Sequence, residues 1–224
     1  MRIMFDLLSE PIRIKDDQIS VLCIENKEYY RKFIKSLCSD YPEEDKIIFS
    51  QEYKPIKFKN NIRLIRDYYS LEFTTSFYKK IYEQMSDFCV NEIMDATIEM
   101  KKVVLLYIDK IIENYDFDFQ SNDDVILSDL FKIQGLKPNF DKMDSLESLL
   151  DFILIYQKYA PVKLFVFVGL HNDYSKQEIE LFYHEMLSRK IPLMVLESNT
   201  NFTKSLVEDI TIIDEDLCVI IENK

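Results

Sequence analysis

Ile19-Ser20-Val21-Leu22-Cys23-Ile24 runs directly into Glu25-Asn26-Lys27-Glu28, and this junction decides the fold. The first six residues are rich in β-branched side chains and almost continuously apolar, as in a strand buried on both faces. Asn26 is suited to accept a hydrogen bond from an orphan N–H at a helix start, which predicts a helix through about Ser39. The same strand and helix units return near the other end of the chain. Leu164-Phe165-Val166-Phe167-Val168 reads as a central strand ended by Gly169. Ser175 to Arg189 reads as an amphipathic helix opened by a Ser175–Glu178 capping box, and Leu193-Met194-Val195-Leu196-Glu197 as the next buried strand. Strands alternating with helices of crossover length imply an α/β domain, a mainly parallel sheet flanked by helices in three layers.

Smaller elements fill the remainder. Short strands are expected at Ile3-Met4-Phe5, Ile12-Arg13-Ile14, Ile47-Ile48-Phe49 and Ile56-Lys57-Phe58, with Pro55 limiting the pairing of the last. Asp144-Ser145 opens a helix that turns Leu146, Leu149, Leu150, Ile153 and Leu154 to the core. Ile210 to Ile221 closes as two short strands around Asp214-Glu215-Asp216. Between Pro55 and Gly135 there is neither proline nor glycine. Phe77, Ile81, Met85 and Phe88 mark one helix face, and Ile93, Ala96, Met100, Val103 and Tyr107 mark another. The five-residue step from Phe88 to Ile93 breaks the phase, giving two helices or one bent helix. A helical subdomain of about 45 residues inserted in the α/β domain accounts for the pattern.

Composition excludes more than it suggests. Only Gly135 and Gly169 occur in 224 residues, so neither GxxxxGK[ST] nor GxGxxG exists, and backbone N–H groups have no glycine loop in which to close on phosphates. A serine nucleophile elbow fails for the same reason. His171 and His184 are the only histidines and form no HExxH or ligand pair; both are expected to pack at the surface or in loops. Cys23, Cys38, Cys89 and Cys218 lack the CxxC spacing of a zinc site. An early acid, Asp6, does not suit a secretory signal, and no run of ~18 apolar residues suits a membrane span. A reducing cytoplasm is the expected location, with no enzyme activity.

The formal charge of −12 would argue against nucleic acid if it were evenly spread. It is not. Glu113 to Asp129 holds six acids and no base, and Ser205 to Leu217 holds five acids and no base. Lys54 to Arg66 holds five bases, Lys54, Lys57, Lys59, Arg63 and Arg66, and no acid. Lys57 and Lys59 would share one side of a strand, and Arg63 and Arg66 one face of a helix, which suits tracking a phosphate backbone without reading bases. Asp116, Asp118, Asp123, Asp124 and Asp129 supply the hard oxygens that calcium takes, although no EF-hand loop can be written on them. A solvated acidic loop, or Asp123 capping a helix through Phe131, are the other readings of the same residues. Asp45 with Glu52-Tyr53-Lys54 imitates the acids of a metal-dependent nuclease, and so does Glu99-Met100-Lys101 inside a predicted helix.

Several segments, in order, are similar to one known family. Phe5-Asp6-Leu7-Leu8-Ser9-Glu10-Pro11-Ile12, Ile62-Arg63-Leu64-Ile65-Arg66-Asp67, Ile126 to Leu136, Leu164 to Glu197 and Ile213-Asp214-Glu215-Asp216 resemble the Csn-two family of CRISPR-associated proteins of type II-A systems, in its short-chain branch. The resemblance implies a degenerate P-loop-hydrolase-like head, residues 1–69 and 135–224, with an inserted α-helical leg, residues 70–134, that ends in the acidic metal region. It implies a non-catalytic homotetrameric ring, stabilised by Ca2+, that holds the ends of linear double-stranded DNA during acquisition of new spacers. Partners would be the DNA, further copies of the chain, and other type II-A Cas proteins, the integrase complex and the RNA-guided nuclease. Asp116, Asp118, Asp123, Asp124 and Asp129 fall in the family's calcium region, with aspartates where relatives carry glutamates and an extra residue near Ser121. Lys54, Lys57, Lys59, Arg63 and Arg66 are the candidates for the DNA path, with Lys132 and Lys137 outside them. A divalent-metal-dependent nuclease and an assembly scaffold that never touches DNA are the alternatives.

Overall fold

The computed structural model describes residues 1–39, 46–59, 61–139 and 146–222. Its strands in chain order are β1 (Arg2–Met4), β2 (Ile12–Arg13), β3 (Ile19–Ile24), β4 (Ile48–Gln51), β5 (Lys54–Ile56), β6 (Ile62–Ile65), β7 (Leu164–Val168), β8 (Leu193–Glu197), β9 (Glu208–Ile213) and β10 (Val219–Glu222). Its helices are α1 (Lys27–Leu37), α2 (Thr75–Asn91), α3 (Met94–Ile112), α4 (Leu127–Ile133), α5 (Leu146–Tyr159), α6 (Leu170–Asp173) and α7 (Lys176–Ser188). The chain divides into two units, Met1–Leu71 with Asp141–Lys224, and Glu72–Phe140.

The first unit is a mixed α/β structure built on a six-stranded sheet, order β10-β9-β3-β8-β7-β6. Every pairing in it is parallel except the terminal β9–β10 hairpin. All residues of β3 and β8 are buried, because β3 and β8 lie at the centre and are covered on both faces. β7, expected to be central, lies second from the β6 edge.

Side chains divide between the faces with the strand period of two. Leu164, Val166, Leu22 and Leu196 join Phe33, Ile3 and Phe49 in one cluster, which packs α1 and a small antiparallel sheet, order β2-β1-β4-β5, on one face. Phe165 and Phe167 alternate with them and meet Tyr156 of α5 and Phe182 of α7. Burying each such aliphatic or aromatic side chain is worth about 1.5–3 kcal/mol.

Local rules fix some helix starts. Asn26 accepts from Tyr29 N–H at 2.9 Å, and Ser175 and Glu178 form the expected capping box at α7. The Asp144-Ser145 start expected for α5 lies outside the described residues. Asp123 does not cap α4, which begins at Leu127 with Ile126 in the cap position and no side-chain cap bond.

The basic run folds differently from expectation. Lys54 opens β5, while Lys57 and Lys59 follow its last residue, Ile56. Two non-glycine residues with positive φ, Glu52 and Tyr53 at 50° and 64°, make the β4–β5 turn. Both central residues of a type I′ turn need positive φ, and the usual Asn-Gly signal is missing, so the strand register could not be read in advance. Pro55 is tolerated because β5 is an edge strand. Arg63 and Arg66 do not share a helix face. Ile62-Arg63-Leu64-Ile65 pairs in parallel with Leu164–Phe167, since three apolar residues in four gain more by closing the sheet edge than by a short helix.

The second unit is helical. The phase break after Phe88 becomes two separate helices, with Thr97 Oγ1 donating to the carbonyls of Cys89 and Ile93 at 2.8 and 2.9 Å across the junction. Phe77 is buried, but Phe88, Val103 and Tyr107 of the predicted apolar faces are 56%, 61% and 66% exposed. Among the described residues no helix is long and apolar enough to cross a membrane.

Gly169 ends β7 with φ of 73°, and a Cβ there would stand 3.2 Å from Asn172 Nδ2. Gly169→Ala is therefore expected to cost about 1–2 kcal/mol of stability through the left-handed backbone, read as a lower urea midpoint. An unchanged midpoint would show that this turn relaxes without cost.

Candidate functional site

The turn after β3 occupies the place where a nucleotide-binding α/β protein would close on phosphate. Here Asn26 Oδ1 already takes the Tyr29 N–H, and its Nδ2 donates to the Glu215 carbonyl at 2.8 Å. Glu25 accepts from Thr200 Oγ1 at 2.8 Å. A side chain thus fills the helix start, and the Glu25 carboxylate stands directly before it, so a phosphate would meet an acid and an occupied N–H where free donors are needed.

Beyond β7, Gly169 turns the chain into α6 and places His171 inside the sheet's helical layer. The imidazole and both of its carboxylate partners are almost wholly buried. Nδ1 lies 2.7 Å from Glu197 Oε1 on β8, and Nε2 lies 2.8 Å from Glu208 Oε1 on β9. The His171 backbone N–H donates to Glu197 Oε1 at 3.0 Å, the Tyr183 hydroxyl to Glu208 Oε1 at 3.0 Å, and Ser205 N–H to Glu208 Oε2 at 2.7 Å. Phe202 stacks on the ring at 4.1 Å. Two acceptors facing both ring nitrogens require the imidazolium. Burial pulls the His171 pKa down, but the hydrogen bonds and charges of Glu197 and Glu208 outweigh it and push it up to about 9. Burial and Glu208 likewise raise the Tyr183 hydroxyl. With neither nitrogen available, His171 is neither base nor metal ligand; it clasps β8 to β9 across the intervening β3. Sequence reading placed it in a surface or loop role, and missed it because its partners lie 26 and 37 residues away.

The basic candidates separate into two groups. Lys54, Lys57, Lys59 and Arg66 are exposed, and Arg66 also donates to Cys38 Sγ at 2.9 Å. Arg63 is half-buried with its guanidinium 5.7 Å from the centre of the Tyr156 ring, and burial lowers its pKa. It belongs to the fold more than to a surface path. The small sheet adds two bases that sequence reading missed. Arg2 and Arg13 are cross-strand partners, and Arg2 lies 4.1 Å over the Tyr53 ring while donating to its hydroxyl at 3.1 Å. Nothing in the spacing of positions 2, 13 and 53 signals this meeting. Lys132 lies on α4 and Lys137 in the segment after it, in the second unit.

The acidic candidates are not gathered. Asp116, Asp118, Asp123, Asp124 and Asp129 are all exposed. Lys101 Nζ holds Asp124 Oδ2 at 2.6 Å, which with the Val125 N–H keeps that carboxyl below its usual range. Among the described residues no group of three or more His, Cys, Asp or Glu is placed to hold a metal. The donor chemistry fits calcium and the arrangement in one chain does not. In the other acidic segment Glu208 is buried in the His171 clasp, and Asp214 accepts from Asp216 and Cys218 N–H groups to shape the β9–β10 loop. The nuclease-like acid Asp45 lies outside the described residues, while Glu99 and Lys101 sit within α3.

Comparison with known proteins adds two findings. The family model described as CRISPR-associated protein (Cas_Csn2) matches residues 40–217. The crystal structure of Stu0660 of Streptococcus thermophilus is similar in fold, with a TM-score of 0.60 at 14% identity over 99% of this chain and 76% of that one.

The clasp makes stability depend on pH. The folded pKa of His171 stands above the ordinary 6.5, so its contribution is complete below about 6.5 and is lost as pH rises through about 9. Urea midpoints should fall between pH 7 and 10 in the wild type. His171→Gln strands two buried carboxylates, so it should lose about 3–5 kcal/mol at pH 7 and show a flatter profile. Equal pH slopes for both proteins would refute the ionised clasp.

Proposed function

We propose that this chain, which belongs to the CRISPR-associated Cas_Csn2 family, is a non-catalytic DNA-binding assembly protein of spacer acquisition. Four copies form a ring that receives the end of linear double-stranded DNA without reading its sequence. The observation that carries this is the second unit's uncovered apolar surface: Ile98, Val103, Leu106 and Tyr107 of α3 are each more than half exposed. Apolar surface of that kind spread around a helix of a single chain is the complement of another protein surface, and copies of one chain cover such surfaces in closed symmetric assemblies. Lys54, Lys57, Lys59 and Arg66, joined by Arg2 and Arg13, offer the charge for phosphate contacts. A few per chain would be weak at physiological salt, and four chains around one duplex multiply them.

Calcium belongs to the assembled state in this proposal. The five aspartates offer the right oxygens, and a second chain or a rearranged loop would have to complete the ligand set, so no step is assigned to the ion. Contacts with the integrase complex and the RNA-guided nuclease of the type II-A system complete the proposed role.

Gel shifts should show linear duplex bound and closed circular duplex of the same sequence excluded. Equal binding of both would overturn ring threading, and cleavage products in magnesium or manganese that vanish in Glu52→Ala would instead favour a nuclease. Replacing Lys54, Lys57 and Lys59 together with Ala should weaken binding at least tenfold and lower the salt slope by roughly 0.9 for each phosphate no longer neutralised. Unchanged binding would favour the scaffold that never touches DNA. Solution mass should correspond to four chains in calcium and fall in chelator, and Val103→Glu with Tyr107→Glu should abolish the tetramer. A mass unaffected by chelator would remove calcium from the proposal and leave DNA binding standing.

A further inference from the structure

The second unit contains a cavity of about 490 Å³, within the roughly 300–1,000 Å³ range of small-molecule sites. One wall is a single face of α2, where Thr75, Tyr78, Lys79 and Tyr82 line the space at the spacing that stacks side chains along a helix. Opposite them α4 contributes Ser128 and Lys132, and the segment beyond Gly135 contributes Lys137.

The chain builds this wall by a defined helix stop. Gly135 takes φ of 63°; its N–H donates to the Lys132 carbonyl at 3.0 Å, and the Leu136 N–H donates to the Phe131 carbonyl at 3.1 Å. This is the paired bonding of a Schellman cap, which only a residue tolerant of positive φ can close. The Tyr82 hydroxyl then donates to the Leu136 carbonyl at 2.7 Å. That bond holds the segment carrying Lys137 against α2. The Tyr82 ring is flanked by Tyr78 at 6.0 Å and Phe131 at 6.1 Å, and burial raises the Tyr78 hydroxyl pKa.

The lining specifies a ligand with two different ends. Lys79, Lys132 and Lys137 outnumber the carboxylates of Glu83 and Asp129, and the nearest pair, Lys79 with Glu83, is a loose 3.9 Å contact. An uncharged apolar guest would make no use of these ammonium groups at the rim. Inorganic phosphate alone would leave the tyrosine rings uncovered. A flat base joined to a phosphate satisfies both, by stacking on aromatic rings and by pairing with lysine and hydroxyl donors.

We propose that this cavity binds a nucleotide, its phosphate among Lys79, Lys132 and Lys137 and its base against Tyr78 and Tyr82. The nucleotide comes either free from solution or as the unpaired last residue of a DNA strand. The cavity is built by one unit of one chain, so this site stands or falls separately from the ring.

Calorimetry on the full chain tests it with deoxyadenosine 5′-monophosphate, deoxyadenosine and inorganic phosphate. The monophosphate should bind saturably, and the other two at least tenfold more weakly. The double substitution Lys132→Ala, Lys137→Ala replaces exposed side chains and should leave the circular dichroism unchanged while weakening the monophosphate at least tenfold. A second arm compares blunt duplex with duplex bearing a single unpaired nucleotide. Tighter binding of the overhang, erased by the same double substitution, identifies the strand end as the source. Absence of both effects, or binding that the substitutions leave unchanged, overturns the site. Loss of the distinction between linear and circular DNA would refute the ring without affecting either arm.

Discussion

One buried cation between two buried anions organises the α/β unit. His171, Glu197 and Glu208 come from α6, β8 and β9, and the two carboxylates belong to strands that do not touch. Parallel strands exchange hydrogen bonds only with neighbours, so sheet bonding alone cannot relate β8 to β9. The imidazolium does so through its two N–H groups, and Tyr183 extends the link to α7. Each charge is tolerable in the interior only because the others are there. Removing any one member would strand the others in the interior, which ties the placement of α6 and α7 to that of β8 and β9.

This has a consequence for where function can reside. In open α/β sheets the crevice beyond the carboxyl ends of the strands is the usual ligand site. Here Glu25 and Glu197 stand at the ends of neighbouring β3 and β8, one bonded to Thr200 and the other to His171. An acidic crevice whose polar atoms already bond to each other has little to offer a phosphate. Chemistry available to partners lies on surfaces instead, in the exposed lysines after β4 and in the helices of the second unit.

The sequence was legible where short-range rules dominate. β3 and β8 were readable as continuous apolar runs, and α7 by its capping box, because each signal sits within a few adjacent residues. What escaped depended on distant partners. Arg63 and Arg66 have the spacing of a helix face, yet the sheet edge beside β7 claims Ile62 to Ile65. Arg2 and Arg13 become neighbours only through the pairing of β1 with β2. His171 gives no signal in the sequence because its partners are not the nearby Asp173 but Glu197 and Glu208, which only the fold brings to it. The spacing of Ile93 to Tyr107 did announce a helix with one apolar face, but not that the face would be left uncovered within its own chain.

Net charge is best understood by the same distinction. Of the five acids between Ser205 and Leu217, Glu208 shares one buried imidazolium with Glu197, Asp209 meets Lys15 at 3.3 Å, and Asp214 is consumed by backbone N–H groups of its own loop. These carboxylates shape the sheet and contribute less to the external field than their number suggests. The Glu113 to Asp129 segment is different, because its acids are exposed and two of them, Asp116 and Asp118, alternate with Tyr115, Phe117 and Phe119, whose rings cluster at 4.7 to 5.8 Å. A segment with aromatic groups gathered together and carboxylates in water is costly to bring near its own copies unless a cation intervenes. The assembly proposed above should therefore respond to ionic conditions at that segment far more than at the acidic sheet edge. The formal total of −12 conceals that difference.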